Sequence, residues 1–143
     1  MISKIFTQLD QWKAYGTPIL RVVVGIVFVM HGWQKVFVYG LDGVSGMMGQ
    51  LGVPLPELSA AMAMGTELLG GIALIIGLGT RFAALGLAFT MVVAWVTAHS
   101  SGGFFMPTGA EYVLTLLAAN LSILLSGAGP LSIDGLISSR RES

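Results

Sequence analysis

Apolar residues fill four stretches of this chain, separated by short polar or glycine-rich breaks. The stretches run from Thr17 to Tyr39, Leu58 to Leu78, Phe82 to Ala98 and Ala110 to Ser126. Each is near the roughly 20 residues that a helix needs to cross bilayer hydrocarbon. The breaks carry turn chemistry. They are a Gly/Pro-rich connection from Gly40 to Pro56, a tight turn from Gly77 to Arg81, a polar and aromatic loop from Ser100 to Gly109, and Gly127-Ala128-Gly129-Pro130. Ahead of them Ile2, Ile5, Phe6, Leu9 and Trp12 recur at helical spacing, with Lys4, Asp10 and Lys13 elsewhere. The pattern predicts an all-α membrane protein, a four-transmembrane-helix bundle with a short N-terminal amphipathic interfacial helix. One domain covers residues 1–143, with the amphipathic segment in 1–16, transmembrane helices at 17–39, 58–78, 82–98 and 110–126, and a cytoplasmic tail over 127–143.

Composition sharpens this reading. Only 10% of the 143 residues are charged and 55% are hydrophobic, against about 25% charged in soluble domains. The formal net charge is zero and no basic run occurs, which argues against a nucleic-acid partner. The chain has no cysteine. That excludes thiol–disulfide chemistry by its own side chains and thiolate ligation of an iron–sulfur cluster. Its 20 glycines point to close helix–helix packing, which permits a homo-oligomer as well as a tight monomer. No secretory signal pattern opens the chain, so the N-terminus is expected to be retained. Lys4, Lys13, Arg81, Arg140 and Arg141 fall on one side of the predicted bundle, while the loops from Gly40 to Glu57 and from His99 to Gly109 carry no Lys or Arg. The asymmetry places both termini in the cytoplasm.

The candidate chemistry lies in the charges that interrupt the apolar stretches. Arg21, His31 and Lys35 lie in the first and Glu67 in the second. Each costs roughly 2.5–3.5 kcal/mol to place in a bilayer core. Such groups persist where they face protein, pair with one another or handle a polar substrate. On a helix the three in the first stretch fall within an arc of roughly 80°, beside Gly25 and Gly32. Two clusters follow. The outer half holds His31, Lys35, Glu67, His99 and Glu111, and the inner end holds Arg21, Arg81 and Asp134. The inner cluster reads as structural anchoring, with an anion or headgroup site as the functional alternative. The outer cluster admits a structural Lys35–Glu67 ion pair, a polar pocket for a redox or proton-coupled ligand, or a metal or haem site. No Glu-x-x-His spacing supports a di-iron centre, and His31 and His99 fall at unequal depth. Haem, metal and iron–sulfur cluster are therefore not expected.

A family resemblance adds to this. The segment from Leu20 to Lys35, LRVVVGIVFVMHGWQK, resembles the opening of the DoxX family of small bacterial membrane proteins. So do Glu67-Leu68-Leu69-Gly70-Gly71 and the run from Gly77 to Ala84. His99, Gly103-Phe104-Phe105, Glu111-Tyr112 and the run from Gly127 to Asp134 continue the pattern in order. The resemblance implies four membrane helices in the bacterial cytoplasmic (inner) membrane and an association with membrane oxidoreductase systems. One branch of the family resembles the quinone-linked membrane subunit of thiosulfate oxidation. Others are linked to oxidative-stress complexes or to resistance against quinone-like electrophiles. The charged positions that recur in the family correspond here to Arg21, His31, Lys35, Glu67, Arg81, His99, Glu111 and Asp134.

The functional expectation is a membrane-embedded module of a redox system that binds a quinone in the outer half of the bundle. Whether it is itself an enzyme is open, a subunit of a quinone-linked oxidoreductase being the candidate. His31 and Lys35 would donate to the quinone carbonyls, Glu67 would hold Lys35 or relay a proton, and His99 and Glu111 would connect the pocket to water. Trp33, Phe37, Phe104 and Phe105 would wall the head group, or else form an interfacial aromatic belt. Electrons would come from a soluble redox enzyme partner. The rival is a non-enzymatic scaffold, or a small-molecule or lipid-binding or transport protein, in which the same charges are structural or gating pairs.

Overall fold

The computed structural model describes residues 2–141, with side chains from residue 6 onward. Its elements are α1 (Ile2–Asp10), α2 (Gly16–Gln34), α3 (Gly40–Gln50), α4 (Pro56–Ile76), α5 (Thr80–Ala94), α6 (Glu111–Ser126) and α7 (Ile133–Arg141). Wide π-helical turns extend α2 over Lys35–Tyr39 and α5 over Trp95–His99. No strand occurs among the described residues. Three helical runs are long and apolar enough to cross a membrane: Lys13–Gln50, Pro56–Ile76 and Thr80–His99. The Glu111–Ser126 helix is apolar but shorter. Their outward faces are hydrophobic too: Ile19, Val23 and Met30 on α2, Leu69 on α4, Phe82 and Phe89 on α5 and Leu125 on α6 are all exposed. So much continuous apolar surface suits lipid and not water, and the protein is a membrane protein.

Small residues set the closest seam. Helix α2 packs along α4, α5 packs along α4 and α6, and α6 closes back onto α2. A Cβ added to Gly25 would stand 2.8 Å from the Gly71 carbonyl oxygen, and one added to Gly71 would stand 2.7 Å from the Val29 nitrogen. Only glycine lets the two backbones lie that close, which lengthens their van der Waals contact. Val24, Phe28, Leu74, Leu87, Met91, Val113, Leu116 and Ile123 fill the space between the helices. Asn120 is buried among them and turns its Nδ2 onto the Leu116 carbonyl of its own helix, 2.8 Å away.

One expectation is corrected. The Gly/Pro-rich connection from Gly40 to Pro56 is mostly helix, α3. Gly40 takes a positive φ of 69° and redirects the chain, a conformation that costs glycine little. Helix α3 then runs along α4, burying Val44 against Ala60 and Met64. That packing outweighs the poor helix propensity of its glycines. Lys35 lies level with the middle of α4, where its Nζ meets Glu67. At the N-terminus the predicted amphipathic segment contains α1, whose Phe6 and Leu9 are exposed, as is Trp12 beyond it. The side chains of Ile2, Lys4 and Ile5, on which that reading also draws, lie outside the described residues.

Candidate functional site

Gly32 sets up the site. A Cβ there would stand 2.5 Å from the Leu68 nitrogen of α4, so at this level α2 and α4 nearly touch. One turn later Lys35 Nζ reaches Glu67 Oε2 and donates a charge-assisted hydrogen bond. The Glu67 side chain is 4% exposed and that of Lys35 21%. The carboxylate is therefore sealed inside, while the ammonium touches the surroundings. On the preceding turn His31 Nε2 lies 3.2 Å from the Tyr112 hydroxyl of α6. The direction of that bond follows the imidazole tautomer. His31 is exposed and Tyr112 half-buried. Two polar pairs thus join α2 to α4 and to α6 within about one helical turn of α2.

The other candidate residues have hydrogen-bond partners of their own in the 100–110 loop. His99 Nδ1 is 3.1 Å from the Thr108 carbonyl oxygen, and Glu111 Oε1 accepts the Met106 amide at 2.7 Å. Both side chains order the 100–110 loop, which backbone bonds from Ala110 to Gly103 and from Glu111 to Phe104 also close. Trp33 and Phe37 pack with ring centroids 5.6 Å apart, and Phe104 and Phe105 meet edge to face at 5.4 Å. All four rings are exposed and belong to the apolar outer surface. Tyr112 is the residue that reading by charge passes over. A phenol carries no formal charge, so the sequence marks Glu111 and not its neighbour Tyr112 as a candidate.

The inner cluster is a clamp. Arg21 is 1% exposed. Its Nη1 donates to the Leu74 and Ile75 carbonyls at the end of α4, and its Nη2 donates to the Leu131 carbonyl at 3.0 Å. One guanidinium thereby satisfies acceptors that the end of α4 leaves open and ties down the loop before α7. Asp134 completes the junction. Gly79 and Thr80 donate their amides to its two carboxylate oxygens at 2.8 and 2.9 Å, capping α5 from a distant part of the chain. Burial alone would raise the Asp134 carboxyl. The Thr80 and Gly79 amides and the nearby Arg21 charge outweigh it and hold the group below its ordinary value. Among the described residues no three His, Asp or Glu side chains converge as a metal site would require.

The DoxX family profile matches residues 16–100. The chain is 32% identical over 122 residues to the Bacillus subtilis protein "Putative oxidoreductase CatD", an alignment that covers 85% of this chain and 87% of that protein. It is 29% identical over 122 residues to the Escherichia coli "Inner membrane protein YphA", covering 81% and 86% respectively. No solved structure matches the chain.

Proposed function

The chain belongs to the DoxX family, and from that premise we propose that it is the membrane module of a redox system, binding a quinone or similar small redox molecule beside His31, Lys35 and Tyr112. In this reading α2 with α3, α4, α5 and α6 form a four-span bundle in the bacterial inner membrane, with both termini cytoplasmic. Helix α6 is about 24 Å long, and the 100–110 loop fills the rest of its crossing. Helix α1 lies on the membrane surface. The one-sided Lys and Arg distribution supports the orientation, and the naming of YphA supports the membrane.

The observation that carries the reading is the convergence of the two polar pairs, with Glu67 buried while His31 and Lys35 stay accessible. A quinone supplies a flat apolar ring with two carbonyl acceptors, which two electrons from a partner and two protons convert to hydroxyls. The residues present suit such a group. His31 engages one ring nitrogen with Tyr112 and leaves the other for a ligand. Glu67 fixes the Lys35 ammonium, whose remaining protons are donors. The boundary between α2 and α6 lets a lipid-soluble molecule approach from the side. The oxidoreductase naming of CatD accords with this chemistry.

A second reading has one observation in its favour. The Lys35–Glu67 pair clamps α2 to α4, as a purely structural charge pair would in a scaffold or carrier. Equilibrium binding of a short-chain quinone analogue to the purified protein in detergent micelles separates the two. The redox reading expects binding that weakens about tenfold in Tyr112→Phe and further in His31→Ala, as hydrogen bonds to the ligand site are lost. Folded protein that ignores the analogue, or binds it equally in all variants, rejects the redox reading in favour of the scaffold.

A further inference from the structure

The end of the molecule where α4 ends and α5 begins holds two adjoining cavities that share Gly135. One, of about 720 Å³, is bordered by Thr80, Arg81, Gly127, Asp134, Ser138 and Arg141. The other, of about 480 Å³, is bordered by Ile76, Pro130, Leu131, Ile133 and Leu136 and is mostly apolar. A charged hollow thus opens directly onto a greasy one.

The charges in the first hollow do not cancel. Both Asp134 oxygens are taken by the Gly79 and Thr80 amides, and Arg21 lies within electrostatic reach to balance that carboxylate. Arg81 and Arg141 make no hydrogen bond or ion pair with any described residue. The hollow therefore keeps two guanidinium groups to spare. A simple membrane anchor would extend into the headgroup layer. Arg81 is instead held against the backbone at the end of α6: a Cβ on Gly127 would stand 3.3 Å from its Nη2. Around the hollows Phe82, Leu131 and Leu136 are exposed by 85%, 78% and 65%. Side chains of that kind belong in contact with acyl chains.

We infer that this is a binding site for an anionic phospholipid, its phosphate held by Arg81 and Arg141 and an acyl chain laid along Leu131 and Leu136. Guanidinium groups suit phosphate oxygens because their paired N–H donors match the oxygen spacing. The occupied and balanced Asp134 does not set a free negative charge against the ligand. Helix α7 forms the outer wall of the site, so an anionic lipid would pin α7 to the bundle. The site shares no residue with the proposed redox site at His31, Lys35 and Tyr112 and does not depend on it.

The test uses the full chain in neutral detergent, titrated with phosphatidylglycerol, phosphatidylcholine or inorganic phosphate, with bound lipid counted by native mass spectrometry. The wild type should prefer phosphatidylglycerol to phosphatidylcholine. Arg81→Gln with Arg141→Gln should weaken phosphatidylglycerol binding about thirtyfold and leave phosphatidylcholine binding unchanged. Should the double variant fail to fold, Arg141→Gln alone, on the exposed surface of α7, should cost about fivefold. Equal binding of the two lipids by the wild type, or a phosphatidylglycerol preference that survives in the variants, overturns the proposal. Competition by inorganic phosphate at the lipid's own concentration would mark a free-anion site and also overturn it.

Discussion

The Tyr112 hydroxyl of α6 and the His31 imidazole of α2 lie 3.2 Å apart, joining positions 81 residues apart in the chain. This bond ties α2 to α6, as the Lys35–Glu67 pair ties α2 to α4. It links an exposed ring to a half-buried phenol. Together the two pairs hold α2 to both of its neighbours by polar side chains.

Tyr112→Phe should leave the fold intact. The lost bond is partly exposed, so the change should cost no more than about 1 kcal/mol of stability. Denaturant unfolding in mixed micelles measures it. A loss of several kcal/mol would mean that Tyr112 serves packing and not the site.

Lys35 and Glu67 should be energetically coupled. Glu67→Gln or Lys35→Met alone should each destabilise by about 2 kcal/mol or more, because each leaves a group without its partner in a low-dielectric setting. The double variant should fall short of the sum by at least about 1 kcal/mol. Strict additivity would show that the two side chains do not interact in the folded protein.

The α2–α4 seam should reject a single methyl group. At Gly71 an added Cβ meets the Val29 backbone at 2.7 Å, whereas at Gly65 on the same helix nothing lies within 4 Å. Gly71→Ala should cost about 1–3 kcal/mol by overpacking. Gly65→Ala should be neutral or slightly stabilising through helix propensity. Parallel unfolding curves decide, and equal effects at the two positions would contradict so close a seam.

Asp134 should give the protein an acid-sensitive limb. Its folded pKa lies below the ordinary value of 3.8, so the unfolded chain binds the proton first. The carboxylate's contribution is complete above that ordinary value and is lost as pH falls through it towards the lower folded value. Melting temperature followed below about pH 5 should therefore drop, and Asp134→Asn should flatten that drop. An unchanged acid limb in Asp134→Asn would remove the capping role.

Much of the fold is legible in the chain because it is a local property. The helical segments around Arg21, Glu67 and Phe89 announce themselves by long, mostly apolar runs, and Gly77 and Gly79 mark the turn between α4 and α5 at positive φ. The α3 segment is misread as a connection because its glycines signal breaks, while the burial of Val44 that holds it as helix involves residues on α4. Of the candidate site, Lys35 with Glu67 is legible as opposite charges on neighbouring helices. The loop partners of His99 and Glu111 are not. Those two lie in sequence next to a loop whose backbone closure captures their polar atoms.

The sequence by itself determined that this is an all-helical membrane protein of the DoxX family, with ionisable groups where lipid makes them expensive. Hydrophobic runs, missing charges and motif order are written along one dimension. Only the tertiary structure decided that Tyr112 meets His31, that Asp134 caps α5, and that the aromatic rings turn outward. Those outcomes depend on how helices far apart in the chain rotate and approach. A few ångströms of backbone separation, permitted by Gly25, Gly32 and Gly71, set which side chains can touch.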